Sequence, residues 1–541
     1  MKDYPIKGFW SKLMVASRSV NNIPDQYMAW AQNARIYDGG IWPRPGKQLL
    51  TNSSLGTNNK GGFTMGWNLY QIANSNIYQI NTTDGTQTLK AALGYDAFVD
   101  IEVYGKNIAI ITSPGQIPKW YDWNVTVSNV ATVPASTTGI VEYCRNYSFI
   151  TKDNILYISR PITAANPEYS YDWTGAGSQN IVYDSNIIGL KGTMNGLYVF
   201  LENKVEYLGA NALQNVSGAA TFISTPLGEG AAPISNSCIA ANGDKIFYIS
   251  RNLHVQTVNF IQWATNPSIG ELDARPVVGI RELLSTISTS QPTAFAYYND
   301  NFKNIQFHVR TSWSAFNNYA LIYDQINDTW SIDTGKNYNY VVKFWFDYYG
   351  FSDINTSIYK DDTWFSDNGS AIDFMIQTNN FNMWSILHKM FGWFYTSWAI
   401  WFLTELQYSI TIDWDPIFQD TISARTLSSE SINDEYWVPI SDESWVSLLT
   451  EDQTSYLNQV IVDSIGDLSG AALSDEPVAG DLYYTPQRQP FDRICDEWRM
   501  YASGKRITAT IYSKSQIQDF ILDMFWIRFQ PTDYIDLPDK F

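Results

Sequence analysis

The chain has 541 residues, with 35 basic and 54 acidic side chains and a formal net charge of −19. It contains no run of clustered Lys and Arg, which excludes the basic surface through which proteins bind nucleic-acid phosphates and release counterions. An acidic surface instead repels DNA. Aromatic residues make up 15% of the chain and charged residues only 16%. This composition excludes general disorder and favours a mainly β fold, because aromatic side chains suit pleated, half-buried surfaces. At this length we expect two or more domains.

Three cysteines are spread along the chain, at Cys144, Cys238 and Cys495. None of them belongs to a C-x-x-C pair, and buried free thiols are predicted. The first residues, Met1 to Lys12, contain no apolar core of signal-peptide length. We therefore expect a cytosolic origin, which leaves later assembly into a larger structure open.

Residues 1–61 are predicted to be an N-terminal segment that contains a hairpin. The stretch Asp25–Ala34 is compatible with a short helix or a strand. The tight-turn signal Asp38-Gly39-Gly40 lies between two short strand-like runs, and Pro43 and Pro45 end the second run.

From Gly62 to about Gly369 the sequence repeats one unit, in which a polar or Gly turn precedes a short apolar alternation. Seven centres of this unit lie roughly 30 to 60 positions apart, which brackets the roughly 40 to 50 residues of a propeller blade. The centres are Asn76–Ile80, Asn107–Ile111, Asn154–Ile158, Gly196–Phe200, Lys245–Ile249, Asn304–Val309 and Ser357–Tyr359. One unit could not bury both of its faces, whereas several stacked radially could. A β-propeller of six or seven blades is predicted, and unrelated hairpins in a sandwich or barrel are the alternative.

Residues 370–541 are predicted to form a second, β-rich platform domain. Its stretch Met390–Leu403 is almost wholly apolar and contains Trp393, Trp398 and Trp401. Lys389 and Glu405 bracket fewer than the roughly 20 residues of a membrane helix. The stretch therefore predicts a buried strand pair or an interface, and no membrane insertion is expected.

The segment from about 404 to 481 is strongly acidic. It contains 16 acidic residues and one basic residue, Arg425, and so carries −15 of the total charge of −19. It is predicted to be an exposed excursion between two halves of one β-domain, because strand-like runs return at Arg506–Tyr512 and Asp519–Phe529. Candidate channel-lining acids within it are Asp434, Glu435, Asp442 and Glu443. A solvated face without further function is the alternative.

The sequence offers no convincing catalytic, cofactor or metal site. His254, His308 and His388 are far apart and lack the i, i+4 spacing of a zinc helix. Neither a Gly-x-Ser-x-Gly elbow nor a phosphate loop occurs. Asp413-Trp414-Asp415 provides two carboxylates of the kind that glycosidases use, but as a sequence signal it is weak because acidic residues are abundant. Ser331–Gly335 is similar to the structural Asp-box turn of sialidase propellers. We expect that the protein is not an enzyme.

The run NARIYDGGIWPRPG, at Asn33–Gly46, resembles the opening of podophage tail nozzle proteins, also called tail tubular or stabilisation proteins. That family opens with an Asn-x-Arg run, an acidic-Gly turn and Arg-Pro-Gly. The corresponding residues here, treated as an assembly motif, are Asn33, Arg35, Asp38, Gly39, Arg44, Pro45 and Gly46. The closing stretch from Arg493 to Lys505 looks similar to the family's second domain.

The resemblance implies a structural subunit of a virion tail. Its expected partners are further copies of itself in a ring, commonly a hexamer, together with the portal or adaptor protein and tail fibre or tip proteins. Genomic DNA would pass through the ring without sequence-specific binding. An acidic lining would keep the DNA centred and let it slide.

A different class of function also stays open. A carbohydrate-binding or glycan-hydrolysing propeller would use exposed aromatic residues as stacking platforms. Such a protein should be a monomer with its aromatic residues around one pocket, whereas a ring subunit should have large apolar lateral interfaces.

Overall fold

The computed structural model describes residues 2–5, 28–37, 40–51, 55–105, 107–123, 127–134, 136–173, 178–209, 224–229, 232–259, 268–271, 278–288, 291, 293–363, 366–378, 389–400, 405–412, 415–423, 492–504, 507–513 and 520–531. Nearly all regular structure in these ranges is β-strand, as the composition predicted. Within them, one α-helix (α1) covers Val278–Thr286, and 3-10 turns cover Pro167–Ser170 and Asn236–Cys238.

Five short strands precede the first blade. They are β1 (Lys2–Pro5), β2 (Met28–Gln32), β3 (Ala34–Tyr37), β4 (Gly40–Pro43) and β5 (Lys47–Thr51). Strands β3 and β4 form the predicted antiparallel hairpin, with Tyr37 opposite Gly40. The stretch for which helix and strand were both open, Asp25–Ala34, contains strand β2.

Blades 1 to 5 follow one another along the chain as separate four-stranded antiparallel sheets. Blade 1 comprises β6 (Gly61–Met65), β7 (Asn68–Ala73), β8 (Asn76–Ile80) and β9 (Gln87–Ala92). Blade 2 comprises β10 (Asp100–Tyr104), β11 (Ile108–Thr112), β12 (Lys119–Asp122) and β13 (Val127–Asn129). Blade 3 comprises β14 (Val141–Cys144), β15 (Tyr147–Lys152), β16 (Ile155–Ile158) and β17 (Gln179–Val182). Blade 4 comprises β18 (Ile187–Gly192), β19 (Gly196–Leu201), β20 (Lys204–Gly209) and β21 (Ser224–Glu229). Blade 5 comprises β22 (Ile239–Asn242), β23 (Lys245–Ile249), β24 (Val255–Asn259) and β25 (Ser268–Glu271).

Two further units close the ring. Blade 6 comprises β26 (Phe295–Asn299), β27 (Asn304–Val309), β28 (Tyr319–Asp324) and β29 (Thr329–Thr334), and it continues into a nine-stranded sheet. Blade 7 comprises β30 (Tyr338–Phe344), β31 (Asp347–Ser352), β32 (Ile358–Asp361) and the N-terminal strand β5. Blades 1 to 5 and blade 7 are thus separate four-stranded sheets, whereas the four strands of blade 6 belong to the nine-stranded sheet. The prediction of a six- to seven-bladed propeller is confirmed.

The first strand of each blade lies at the centre of the ring and contacts the first strand of the next blade. This series of contacts runs through β6, β10, β14, β18, β22, β26 and β30 and returns to β6. Strand β5 pairs with β32, so that Lys47 lies opposite Asp361. Backbone hydrogen bonds between the start and the end of the propeller therefore hold the ring shut.

Apolar side chains from facing blades interleave to form most of the core. One cluster joins blades 1 and 2, others join blades 2 and 3, 3 and 4, and 4 and 5, and another joins blade 7 to blade 1. The cluster around blades 5 and 6 also takes in α1 and residues of the second β-region such as Ile376, Ile410 and Ile511. Both faces of the middle strands are consequently buried, as in blade 4, where all six residues of β19 are buried.

The second β-region shares its sheets with the propeller and the N-terminal strands. Its strands are β33 (Phe374–Thr378), β34 (Lys389–Ile400), β35 (Glu405–Ile412), β36 (Asp415–Ser423), β37 (Asp492–Gly504), β38 (Ile507–Ser513) and β39 (Phe520–Pro531). The nine-stranded sheet has the order β26-β27-β28-β29-β2-β33-β38-β35-β36. A six-stranded sheet has the order β3-β4-β39-β34-β37, with β1 paired to β39.

This topology modifies the predicted domain boundaries. Residues 1–61 do not stand apart, because β2 joins the nine-stranded sheet, β3 and β4 join the six-stranded sheet and β5 completes blade 7. Within the predicted acidic excursion of about 404–481, 405–412 and 415–423 are strands β35 and β36. Strands on either side of it do pair with each other, as β34 does with β37. Residues 424–491 lie outside the described residues.

Candidate functional site

The motif at Asn33–Gly46 lies in a buried junction between the N-terminal strands and the last blades. Asn33 separates β2 from β3 with φ 52°, a left-handed conformation that asparagine tolerates better than most residues. Its backbone N–H donates to the Ile332 carbonyl at 2.7 Å. Its side-chain carbonyl accepts from the Thr334 N–H at 2.9 Å, and its side-chain amide donates to the Asp373 carbonyl at 2.8 Å. One asparagine thus connects β29 to the chain segment that enters the second β-region.

Arg44 donates through all three of its guanidinium nitrogens and is only 1% exposed. Its Nε donates to Asn33 Oδ1 at 2.8 Å, and its Nη2 donates to the Thr334 carbonyl at 2.7 Å. The two terminal nitrogens also hold both oxygens of Asp367, at 3.0 and 2.6 Å. A buried guanidinium is tolerated only when its charge is paired and its N–H groups are bonded, and this junction meets both conditions.

Arg35 makes the second buried ion pair of the junction. From β3 it donates through both terminal nitrogens to the two carboxylate oxygens of Asp333 in β29. It also donates to the Ser331 hydroxyl at 3.1 Å. Burial by itself raises the pKa of Asp333, but the charges of Arg35, Arg44 and Lys336 together bring that pKa below its ordinary value. The Asp-box-like stretch Ser331–Gly335 therefore serves this junction.

The Pro-Gly end of the motif is fixed by close backbone packing. A Cβ at Gly46 would lie 2.0 Å from the carbonyl oxygen of Ser366, so no other residue fits without a backbone shift. The Pro45 carbonyl accepts from Arg44 Nη1 at 2.9 Å. Asp38 and Gly39 lie outside the described residues. The described part of the motif makes intramolecular contacts, and a role in contacts between subunits stays a prediction.

A third buried charge cluster adjoins the junction in blade 7. Lys336 Nζ lies 2.9 Å from both Asp361 and Asp362. Burial raises the pKa of Asp361 to about 6, although Lys336 opposes this shift. The nearby His308 in β27 is fully buried, and burial lowers its pKa to about 3. His308 is therefore neutral at physiological pH and belongs to the core, as predicted for a histidine in an alternating strand.

A separate group of charges lines a cavity on the propeller axis. The cavity has a volume of about 130 Å³ and is lined by residues in or next to the first strands of blades 2 to 7. Its charged members are Asp100, Glu102, Glu142 and Lys191, and Lys191 Nζ lies 3.4 Å from Glu142 Oε2. No pattern in the sequence singles these residues out. Each is an isolated charge in a short strand, and only the register of the blades brings them together.

A hydrogen bond between Asp100 in blade 2 and Asn236 beside blade 5 joins two sides of this cavity. Asp100 Oδ2 accepts from the Val141 N–H at 3.0 Å and from the Asn236 amide at 2.8 Å. Asn236 Oδ1 in turn accepts from the Leu190 N–H at 2.9 Å. Burial raises the pKa of Asp100 to about 7 and the pKa of Glu102 well above its usual range.

The other residues singled out in the sequence lie in strand β34, in the buried core or outside the described ranges. Trp393 and Trp398 lie in strand β34, between β37 and β39, which confirms a strand; their side chains and Trp401 are outside what the structure describes. Cys144 and Cys238 are buried free thiols, as predicted. The candidate channel acids Asp434, Glu435, Asp442 and Glu443, and the residues His388, Asp413 and Trp414, lie outside the described ranges.

The described residues contain neither a metal-binding cluster nor a membrane-spanning helix. In the described part of the chain, no three His, Cys, Asp or Glu side chains are arranged to hold a metal ion. No helix in that part is long and apolar enough to cross a membrane. The junction itself is a set of paired charges that join three parts of one chain.

Comparisons with known proteins give no family. No family model matches the chain, and no curated protein matches it. Among solved structures, the computationally designed Ika8 protein matches with a TM-score of 0.37 and 8% identity over 58% of this chain and 100% of that one. The extracellular domain of a proposed one component system from B. thetaiotaomicron matches with a TM-score of 0.38 and 8% identity, over 58% of this chain and 40% of that one. Likenesses this distant carry no argument about function.

Proposed function

We propose that the chain is a structural subunit of a ring in the tail of a short-tailed bacteriophage, where the ring continues the DNA channel below the portal and adaptor. The observation that carries this proposal is the buried junction. Asn33, Arg35, Arg44 and Gly46, through which the sequence resembles tail nozzle proteins, tie the N-terminal strands to blades 6 and 7. The residues that carry the resemblance therefore also hold the N-terminal strands against the propeller.

The sheet that the propeller shares with the second β-region supports the proposal of a stiff structural subunit. The nine-stranded sheet passes from blade 6 to β2 through one parallel pair, Gln32 opposite Ile332, and continues into β33, β38, β35 and β36. The apolar cluster that blade 6 shares with the second β-region resists bending between the two, because such a motion would expose buried apolar side chains to water. We expect a ring subunit around a DNA channel to need this stiffness.

The DNA channel of the proposed ring lies between subunits. The cavity on the propeller axis, about 130 Å³, is crossed by the bond between Asn236 and Asp100. The acidic segment, with Asp434, Glu435, Asp442 and Glu443 as candidates, is proposed to face the channel and repel the DNA backbone. Portal or adaptor and fibre or tip proteins are the proposed partners, and no catalytic residue, cofactor or metal is assigned.

The test is the mass of the purified full-length chain in solution, alone and mixed with its adaptor. A ring predicts a discrete oligomer, expected to be a hexamer, that forms in at least one of the two samples. A chain that stays monomeric in both would contradict the proposal. An image of the assembled particle would then show whether the ring lies below the portal.

A further inference from the structure

Three aromatic side chains on adjacent turns form an exposed patch, called here the turn patch, which consists of Trp67, Trp345 and Phe346. Their exposed fractions are 64%, 58% and 81%. Trp67 stacks on Trp345 with ring centroids 4.9 Å apart and planes inclined by 25°. The two turns connect the first and second strands of blades 1 and 7, and these first strands are in contact.

The backbone at Trp345 makes this patch unusual. Trp345 and Phe346 form a two-residue turn, since Phe344 pairs with Asp347, and Trp345 has φ 59°. The same position is glycine in the corresponding turns of blades 1 and 5, where Gly66 has φ 62° and Gly243 has φ 59°. A bulky residue in the left-handed region is a genuine outlier. Glycine adopts this φ without steric cost, and the corresponding turn of blade 3 has Arg145 at φ 58°. The fold therefore tolerates a larger side chain at this position but gives no reason of its own for a tryptophan.

The size of the turn patch points to a small ligand group. An aromatic side chain offers roughly 150–250 Å², so the three exposed fractions together present about 450 Å². A stable protein interface needs about 800 Å² on each partner. The patch cannot be widened cheaply, because exposed ion pairs adjoin both ends of the turn: Lys343 with Asp300, and Lys360 with Asp347. Covering these charges would require their desolvation.

The surroundings of the patch also indicate the chemistry of the ligand. Each adjoining ion pair has no net charge, which favours a neutral group over a polyanion. The face of an indole ring carries partial negative charge and attracts the C–H face of a pyranose. Hydroxyl groups of the same sugar would find hydrogen-bonding partners in the Lys343–Asp300 pair and in Asn301, whose amide donates to the Phe346 carbonyl at 3.1 Å.

We propose that the turn patch binds neutral carbohydrate by stacking sugar rings on its exposed aromatic faces. This inference stands on exposed residues of the propeller and does not depend on ring formation. A tail component with such a site would contact polysaccharide at a cell surface.

The experiment compares three full-length proteins by native electrophoresis in gels that contain dextran, mannan or galactan. The test variant carries Trp345→Gly and Phe346→Asn, a pair that suits a turn with φ > 0 at its first central residue. The control is Trp313→Asn, because Trp313 is 69% exposed but lies between β27 and β28, away from the patch. The oligomeric mass in solution and the melting temperature are measured for the same three proteins.

The wild type and Trp313→Asn should migrate at least twofold more slowly with one of the polysaccharides than without it. The double variant should lose this retardation, keep its oligomeric mass and melt no lower than the wild type. Unchanged retardation of the double variant, or no retardation of the wild type by any of the three polymers, would overturn the proposal. Loss of oligomeric mass in the double variant would instead identify the patch as a subunit contact and also overturn it. If the wild type is retarded by a polysaccharide but is a monomer in solution, the carbohydrate site is supported and only the proposal of a ring is contradicted.

Discussion

Arg44 and Asp367, 323 positions apart in the chain, form a two-bonded ion pair with N···O distances of 3.0 and 2.6 Å. Arg44 follows the N-terminal hairpin, and Asp367 follows the last strand of the propeller. Their contact lies beside the place where β5 closes the ring, so the N-terminal segment is fixed by both side-chain charges and backbone pairing.

Removal of Arg44 should therefore loosen the closure of the propeller. Arg44→Ala leaves the largely buried Asp367 carboxylate without its guanidinium and removes one of the two bonds that Asn33 Oδ1 accepts. Loss of one member of a buried pair costs about 3–5 kcal/mol, which denaturant unfolding of the full chain would measure. Lys360→Ala, in the half-exposed pair with Asp347, should cost no more than about 1 kcal/mol. Equal losses in the two variants would show that the junction is not critical.

Gly46→Ala should destabilise the chain through a backbone clash. The new Cβ would lie 2.0 Å from the Ser366 carbonyl oxygen, and forced overpacking of this kind costs about 1–3 kcal/mol. The matched change Gly209→Ala places its Cβ 3.4 Å from the Tyr207 ring, an ordinary contact, and should be nearly neutral. Thermal melting of both variants is the measurement, and a Gly46→Ala protein as stable as the control would disprove the fit.

The stability of the propeller should fall as the pH rises from 5 to 8. Burial raises the pKa of Asp100 to about 7 and of Asp361 to about 6, both above the ordinary value near 4. The folded state therefore holds protons that the unfolded chain has lost, and this stabilisation disappears as the pH passes the folded pKa values. His308, whose pKa is lowered to about 3, acts in the opposite direction below pH 6.5.

Asp100→Asn tests the pH prediction, because the amide is neutral at every pH. Its melting temperature should vary less between pH 5 and 8 than that of the wild type. Asp84→Asn serves as the control, since the pKa of the exposed Asp84 is lowered and it stays ionised throughout this window. A wild-type melting temperature that is flat or rises across the window would contradict the assignment.

Trp398→Asp should prevent folding or ring formation. Trp398 lies in β34 opposite Ile494 of β37 and Leu522 of β39, within an apolar run, where an unpaired charge costs several kcal/mol. Soluble yield and mass in solution are the readouts. The corresponding change at the exposed Trp313 should be tolerated. Normal assembly of Trp398→Asp would mean that this side chain faces solvent.

Neutralising the candidate channel acids should slow DNA ejection. The variant combines Asp434→Asn, Glu435→Gln, Asp442→Asn and Glu443→Gln. The effect should be larger at low salt, because screening limits the field of each carboxylate to roughly 8 Å at physiological ionic strength. Ejection from assembled particles at several salt concentrations is the measurement. Unchanged rates at every concentration, with intact particles, would leave these acids a solvating role only.

The repeat in the sequence predicted the propeller correctly, but not the phase of its blades. Each of the seven predicted centres falls in a different blade. Four of them are second strands, such as Gly196–Phe200 in β19, and three are third strands, such as Asn76–Ile80, which is β8. Both middle strands of a blade are packed between neighbouring blades, so they carry the same apolar pattern, and the pattern alone cannot distinguish them.

Patterns among residues close together in the chain were sufficient to predict the strands and the hairpin at Ala34–Pro43. The tertiary structure decided what depends on distant partners. It paired β5 with β32, directed Arg44 to Asp367 and gathered Asp100, Glu102, Glu142 and Lys191 on one axis. The physical reason is that a charged or paired residue carries no local sign of its partner. The partner is selected only when ring closure brings segments hundreds of residues apart into contact.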